Sequence, residues 1–374
     1  MSTTPPAGLE APPARRPSAS WADGPAIPAA SVVVALLLGA VFVLISGNDP
    51  LAAYAALAKG AFGTPYDLTE TLIIMIPLTL GGLSVAVAFR AGLFNIGAQS
   101  QILVGALATG IVGVQFADLP GIVLMPLVIM SGIVAGGAWG ALAGWLKAAR
   151  GVNEVITTIM QNYTIVFVMH WLLQNGPMTA KNSLGTPASA RIGDGAILPV
   201  IIPNELIPLS RLHAGIGLAA LAVLVFWFIL FRTSLGYELR AVGLGPRAAA
   251  QAGIDPKRGM VIAMFIAGGF AGLAGTIQVS GVFQRVYDGF SAGYGFDAIA
   301  VALLGKNTPV GIVLSALIFS GFARGGTRMQ TNAQISSNLV SIISALVLFV
   351  IAAETVLRER ARGSNRDRAR GKSA

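Results

Sequence analysis

Amide side chains inside apolar stretches are among the residues of this chain best suited to chemistry. Asn95 and Gln99 lie four residues apart, a spacing that places both on one face if the segment is helical. Gly92 and Gly97 flank Asn95, so the segment is equally compatible with a broken helix. Such side chains line a polar path by offering hydrogen bonds to hydroxyl groups or base edges, or they join neighbouring helices. Both interpretations stand for this pair.

A second polar stripe lies further along the chain. Glu154, Thr158 and Gln161 recur every three or four residues, so they share one face of a helix. The pathway candidates here are Asn153, Glu154, Gln161 and Asn162. Because Asn153 and Glu154 stand at the start of an apolar run, we favour capping or gating over solute contact for these two.

Residues for catalysis or metal binding are scarce. The chain has no cysteine and two histidines, which leaves little for a zinc site or a histidine-based triad. The segments ending in Gly305-Lys306 and in Gly371-Lys372-Ser373 both lack the first glycine of an ATP-binding Walker loop. We therefore predict no catalytic residues, no metal and no cofactor held by this chain.

Composition excludes the soluble classes. Of 374 residues, 55% are hydrophobic and 11% are charged, whereas soluble domains carry about 25% charged residues. The 46 glycines stand among long aliphatic runs, as is usual for closely packed membrane helices. The predicted fold is an all-α, polytopic membrane helical bundle.

About ten apolar runs approach the ~20 residues needed to cross a bilayer. They cover residues 29–46, 71–89, 96–114, 122–146, 155–173, 214–231, 260–279, 296–304, 310–322 and 335–353. Because the runs at 296–304 and 310–322 are short, we interpret them as half-helices, and the count becomes nine if they form one span. Asp297 is interpreted as the N-terminal charge of such a half-helix, in preference to a pathway residue.

The chain divides into a membrane domain and two tails. Residues 1–28 are predicted to be a disordered cytoplasmic tail, 29–356 a transmembrane domain, and 357–374 a basic cytoplasmic tail near anionic lipid headgroups. This topology puts an outer loop at 174–213 and most Lys and Arg residues in the cytoplasm. Arg324 and Arg328 fit this rule worst. The chain is therefore predicted to be a multi-pass protein of the plasma or inner membrane, without a nucleic-acid partner.

Two stretches of the sequence resemble each other weakly. Gly81-Gly82 precedes Gly92-Leu93-Phe94, and Gly268-Gly269 precedes Gly281-Val282-Phe283, in stretches that run in opposite directions in the predicted topology. Inverted repeats of this kind are common in transporters. Because the two spacings differ by two residues, coincidence explains the similarity equally well.

The cytoplasmic loop at 232–259 is predicted to be ordered. Pro246 suits the first position of a helix, the alanines after it favour helix, and Gly253 and Pro256 end it after about two turns. The small side chains suit docking into another protein's cleft, although an ordinary connecting helix remains the alternative.

Three segments together resemble a known family. Residues 90–99, residues 151–162 and the cytoplasmic loop are similar to permease subunits of ABC importers, in the branch that takes up nucleosides and simple sugars such as ribose. The resemblance runs from about residue 72 to 353. It implies two permeases, a different second chain being favoured, together with an ABC ATPase subunit that uses ATP and Mg, and an extracytoplasmic solute-binding protein or lipoprotein. Nucleosides are favoured over free sugars.

The resemblance also makes the loop helix a coupling helix that docks on the ATPase. Ala248, Ala249 and Gly253 fit the family's E-A-A-x-x-x-G spacing, and Arg247 stands where glutamate is expected. The residues assigned to coupling are Gly236, Arg240, Gly243, Arg247, Ala248, Ala249 and Gly253.

Two other functions compete. An ion-coupled secondary transporter normally needs a carboxylate at mid-depth, and the two candidates, Glu154 and Asp297, lie near span ends in the predicted topology. A channel or scaffold would leave the ordered cytoplasmic helix without a purpose. An importer permease driven by a separate ATPase is therefore the favoured function.

Overall fold

The computed structural model describes residues 26–333, except 177–178, 180–186, 204 and 292, and beyond them only residues 342, 345 and 346. Within this part of the chain the regular elements are helices. Three isolated β-bridges also occur. The prediction of an all-α helical bundle is confirmed. Residues 1–25 of the first tail, the basic tail at 357–374 and nearly all of the run at 335–353 lie outside the described residues.

Twelve α-helices can be followed in the described residues. They are α1 (Ala26–Ile45), α2 (Pro50–Phe62), α3 (Pro65–Arg90), α4 (Ala98–Gln115), α5 (Gly121–Arg150), α6 (Glu154–Asn175), α7 (Gly215–Arg232), α8 (Ser234–Leu244), α9 (Pro246–Gln251), α10 (Pro256–Ile277), α11 (Tyr294–Leu304) and α12 (Pro309–Ala333). A π-helical turn, Gln278–Phe283, continues α10.

Six of these helices are long and apolar enough to cross a membrane: α3, α5, α6, α7, α10 with its π turn, and α12. A seventh span results if α1 and α2, bent by 116° at their junction, are taken together. Ten spans are therefore not confirmed within the described residues. Helix α2 was not predicted at all.

Of the two predicted half-helices, the first is confirmed and the second is wrong. Helix α11 is short and apolar, whereas α12 is 25 residues long and extends well past residue 322. The extension contains Arg324 and Arg328, whose guanidinium groups each lie 3.0 Å from the carboxylate of Asp67. Asp67 is buried and offsets part of this charge, and α12 continues through both arginines.

Helices α3 and α10 form the centre of the bundle and are the most deeply buried spans. Helix α3 packs against α11 and α12, and α10 packs against α4 and α5. Helix α3 runs toward the end of the bundle that holds Arg90, Lys147 and Arg232, here called the Arg90 end, and α10 runs away from it. The opposite end, which holds Asp67, is called the Asp67 end. The two stretches therefore run in opposite directions, as the predicted topology requires, and the inverted repeat itself stays a prediction.

Glycines let α5 and α10 approach closely. A Cβ atom added at Gly136 would lie 2.7 Å from the Cα atom of Gly272, and one added at Gly144 would lie 3.0 Å from the Cβ atom of Met264. Contacts this short leave no room for a side chain at these positions of the interface, so the two backbones pack directly on one another.

Candidate functional site

The turn between α3 and α4 carries the first predicted site residue. Asn95 is fully buried and lies outside any helix, so Asn95 and Gln99 do not share a helix face, and the broken-helix alternative is correct. The Asn95 amide donates to Gln101 Oε1 at 3.0 Å, and its Oδ1 atom accepts from Gly97 N and Gln101 Nε2 at 3.0 and 3.2 Å. Ser84 completes this buried cluster at 3.4 Å from the Asn95 amide. The cluster fixes the chain reversal.

Gln99 points away from this cluster and is half-buried. Its Nε2 atom donates to Ser291 Oγ at 3.0 Å, and its Oε1 atom accepts from the backbone N–H of Gly295 at 2.9 Å. Gly295 lies in the first turn of α11, where the N–H groups have no partner within the helix. Gln99 therefore joins α4 to the beginning of α11.

The second polar stripe joins the beginning of α6 to its neighbours. Asn153 caps α6, with its Oδ1 atom accepting from Val155 N at 2.8 Å. Glu154 is buried, pairs with Lys147 at the end of α5, and accepts from Phe94 N at 3.4 Å. These contacts place both residues at the Arg90 end, where they hold α5, α6 and the α3–α4 turn together.

The remaining two stripe residues lie deeper along α6. Asn162 donates to Ile96 O and accepts from Ser100 N, both at 3.0 Å, and so binds α6 to the start of α4. Gln161 donates to Trp139 O at 2.9 Å. The Gln161 Oε1 atom and the Trp139 indole nitrogen are buried without a hydrogen-bond partner among the described residues.

The six predicted pathway residues thus lie at three separate contacts. Asn95, Asn153, Glu154 and Asn162 surround the α3–α4 turn and the start of α6. Gln161 contacts α5, and Gln99 faces α11. Sequence reasoning missed Ser84 and Gln101, although a second glutamine two residues after Gln99 in an apolar run was a usable signal. It also placed Asp297 near a span end, whereas Asp297 lies one residue before Ala298, which packs against Gly81 within α3.

The loop at 232–259, predicted to be cytoplasmic, is ordered, as predicted, and contains α8 and α9. Helix α9 begins at Pro246 and is six residues long, slightly under the predicted two turns. Arg247 and Ala248 are exposed, whereas Ala249 is buried against the bundle. Gly253 adopts a φ of +84°, which favours glycine.

Two glycines bring α8 against the bundle. A Cβ atom at Gly236 would lie 2.6 Å from the Cα atom of Leu230, and one at Gly243 would lie 2.9 Å from the backbone of the α3–α4 turn. Arg240 lies over the ring of Phe231, 5.4 Å from its centroid, and Arg90 contacts the same ring at 5.3 Å. Gly236, Arg240 and Gly243, which the sequence assigned to coupling, thus fix α8 to α3 and α7.

At the Asp67 end, the loop before α7 packs into the bundle. The Arg211 guanidinium lies 2.5 Å from the Glu70 carboxylate, and this hydrogen bond raises the pKa of Arg211. Burial, assisted by the charge of Arg211, lowers the pKa of His213 to about 4. No group of three or more His, Cys, Asp and Glu residues able to hold a metal ion occurs in the described part of the chain.

Apolar spans around two buried helices, with polar contacts inside and an ordered helix pair outside, are the features of a multi-pass integral membrane protein. The family described as branched-chain amino acid transport system / permease component matches residues 68–352, and the chain belongs to this family. No solved structure matches the chain.

Three relatives are similar over nearly their whole length. The guanosine ABC transporter permease protein NupP of Bacillus subtilis is 38% identical over 89% of this chain and 94% of its own. The nucleoside ABC transporter permease protein NupB of Lactococcus lactis is 37% identical, over 88% and 91%. The glucose ABC transporter permease protein TsgB13 of Haloferax volcanii is also 37% identical, over 89% and 88%. The chain is thus a multi-pass ABC transporter permease subunit.

Proposed function

We propose that this permease moves nucleosides into the cell as part of an ABC importer. The observation that carries this proposal is its 37–38% identity, over about nine-tenths of the chain, to permeases named for guanosine and for nucleosides. A relative of similar identity is named for glucose, so a sugar is the second candidate solute.

The free energy for transport comes from ATP hydrolysis by a partner ATPase. This chain lacks a Walker loop, and the Arg90 end presents an exposed surface suited to docking an ATPase that binds ATP and Mg. Leu244 is 93% exposed and is followed in α9 by the exposed Arg247 and Ala248. A separate solute-binding protein delivers the nucleoside at the Asp67 end.

The Arg90 end faces the cytoplasm in this proposal. Lys147 and Arg150 end α5, Arg232 ends α7, and Lys257 and Arg258 begin α10 at this end. Clustered cations next to membrane spans mark the cytoplasmic side. Both termini are then cytoplasmic if the run at 335–353 forms the last span.

A second, different permease completes the pathway. Two relatives that are less similar to this chain carry matching names, the guanosine permease NupQ of Bacillus subtilis at 28% identity and the nucleoside permease NupC of Lactococcus lactis at 26%. Each organism therefore has a pair of permeases with one named solute class. This chain corresponds better to the NupP and NupB members.

The experiment is uptake of radiolabelled guanosine into proteoliposomes. The complete complex should accumulate guanosine only with ATP on the nucleotide-binding side, and a Walker lysine substitution in the ATPase should abolish uptake. Glucose is the matched competitor, and excess glucose should leave guanosine uptake unchanged. Failure of the complete, ATP-hydrolysing complex to accumulate guanosine would reject the nucleoside assignment.

The ion-coupled transporter remains the second candidate because Asp297 lies next to Ala298, which contacts Gly81 in the middle part of α3, and so Asp297 does not lie at the rim of the bundle. The chain reconstituted alone under a proton or sodium gradient separates the two functions. We expect no accumulation; gradient-driven uptake would replace the ABC proposal.

A further inference from the structure

The outward face of α11 combines an aromatic ring and a carboxylate. Phe296 is 49% exposed, and its neighbour Asp297 is exposed as well. The opposite face is closely packed, because Gly295 lies against the backbone of Gln99 and Ala298 lies against Gly81. Phe296 and Asp297 therefore project from a rigidly held half-helix.

The position of Ala298 places this pair near the middle of the membrane. Gly81 lies about 14 residues after Asp67 and about nine residues before Arg90, which corresponds to ~21 Å and ~14 Å along α3. Asp67 and Arg90 mark the two rims of the bundle, and a bilayer core is ~30 Å thick. Asp297 thus lies far from both interfaces.

Asp297 differs from the other acidic residues of the membrane helices. Asp67 pairs with two arginines, Glu70 with Arg211 and Glu154 with Lys147. The Asp297 carboxylate has no hydrogen bond or ion pair with any residue that the structure describes. Its place in the first turn of α11 gives it only the modest stabilisation of the helix dipole.

An exposed, unpaired carboxylate at this depth is costly against lipid, and such residues face water-filled paths or bundle interiors. The face of α11 therefore cannot be an ordinary lipid contact. It faces either a water-filled path or the interior of the assembled importer, next to the second permease.

We propose that Phe296 and Asp297 form the solute contact of this path. The carboxylate of Asp297 accepts hydrogen bonds from the vicinal hydroxyl groups of a ribonucleoside, and the ring of Phe296 stacks on the base. This inference rests on the proposed nucleoside importer. Gln99 is a positioning residue, since it holds the first turn of α11 through Gly295 and the preceding loop through Ser291.

Thiol labelling tests whether the face lines a water-filled path. The natural chain has no cysteine, so Phe296→Cys and Asp297→Cys each introduce a unique thiol. Val225→Cys is the matched control, because Val225 is 40% exposed near the middle of α7 and lines a groove bounded by apolar side chains. In the complete complex, a charged methanethiosulfonate should label positions 296 and 297 far faster than 225, and guanosine should slow the labelling. Equal, slow labelling at all three would overturn the proposal.

Selectivity tests the contact itself. Uptake of a ribonucleoside is compared with uptake of its 2′,3′-dideoxy analogue, with the same binding protein throughout so that its own preference cancels. Asp297→Asn should lower this ratio about tenfold, the factor for roughly one hydrogen bond to a charged group. Phe296→Leu should reduce uptake of both solutes and leave their ratio unchanged, and Asp118→Asn, in the loop between α4 and α5, should behave as the natural protein.

Each other outcome has a definite meaning. An unchanged ratio in Asp297→Asn rejects the ribose contact, and loss of the second permease from the purified Asp297→Asn complex shows that the carboxylate serves the interface instead. If the natural complex transports no nucleoside, the proposed function fails, whereas rapid labelling at 296 and 297 would still identify the path for another solute.

Discussion

At the scale of single residues, His213 is a buried base that stays neutral. It is 1% exposed, its Nδ1 atom accepts from Gly215 N at 3.1 Å, and its Nε2 atom has no partner among the described residues. Because burial and Arg211 lower its pKa to about 4, protonation of the folded protein is unfavourable near neutral pH.

This pKa makes stability depend on pH. An unfolded histidine titrates near 6.5, so the contribution of a neutral His213 is complete above pH ~6.5 and is lost as the pH falls toward 4. The loss amounts to ~3 kcal/mol at most. His213→Asn should lose less stability between pH 7 and pH 4.5 than the natural protein, as measured by thermal unfolding in detergent.

His170 supplies the control for this prediction. It is exposed and pairs with Asp288 at 2.9 Å, so His170→Asn should retain the pH dependence that the natural protein owes to His213. Identical pH profiles for His213→Asn and the natural protein would show that His213 does not titrate on unfolding.

The polar residues show what sequence alone reveals at this scale. That Asn95 and Asn162 matter was visible from their place in apolar runs, but their partners were not, because Ser84 and Ile96 are brought together with them only by the turn. Asp297 looked like a rim residue because the sequence shows where a helix begins and not how deep it begins.

At the scale of elements, the α5–α10 interface gives a matched pair of glycines. Gly136→Ala would place a Cβ atom 2.7 Å from Gly272 Cα and should destabilise the protein by ~1–3 kcal/mol. Gly217→Ala in α7 meets no atom within 4 Å and should stabilise by ~0.5–1 kcal/mol, because alanine favours helix. Thermal unfolding in detergent measures both. A Gly136→Ala protein as stable as the natural one would mean that the helices separate without cost.

Helix α9 provides a test of coupling. Ala248→Trp changes an exposed position and should leave the permease folded while lowering uptake per ATP hydrolysed in the complete complex. Ala249→Trp changes a buried position and should lower thermal stability instead. Ala220→Trp, exposed on α7, is the control. Normal uptake by the Ala248→Trp complex would remove α9 from the coupling role; Gly253 is a poorer choice because its positive φ strains any side chain.

Elements with strong apolar patterns were predicted well, and those set by distant contacts were not. Residues 122–146 became α5, which begins one residue earlier and ends four residues later. The predicted run at 310–322 stopped short of Arg324 and Arg328, whose partner Asp67 lies over 250 residues away in sequence and could not be foreseen. Helix α2 was missed because Lys59 and several small residues weaken its apolar pattern.

At the scale of the whole molecule, the importer should contain one copy of this chain. Native mass spectrometry of the purified complex should find it with one copy of a different permease, because the similar relatives occur in differently named pairs. Two differently tagged copies of this chain, expressed together, should not purify with one another. Co-purification of both tags would show that the chain pairs with itself.

At one end of the bundle, helix α8 and the α3–α4 turn are in direct backbone contact. At the Arg90 end, the backbone of α8 at Gly243 lies directly on the turn that begins at Ala91 and Gly92. The two segments are in direct backbone contact, so a displacement of one is not absorbed by rearrangement of side chains between them. A movement of α8 should therefore move the α3–α4 turn by a similar distance. In a saturation library, positions 92 and 243 should tolerate almost nothing except glycine, the former also because its φ is +72°.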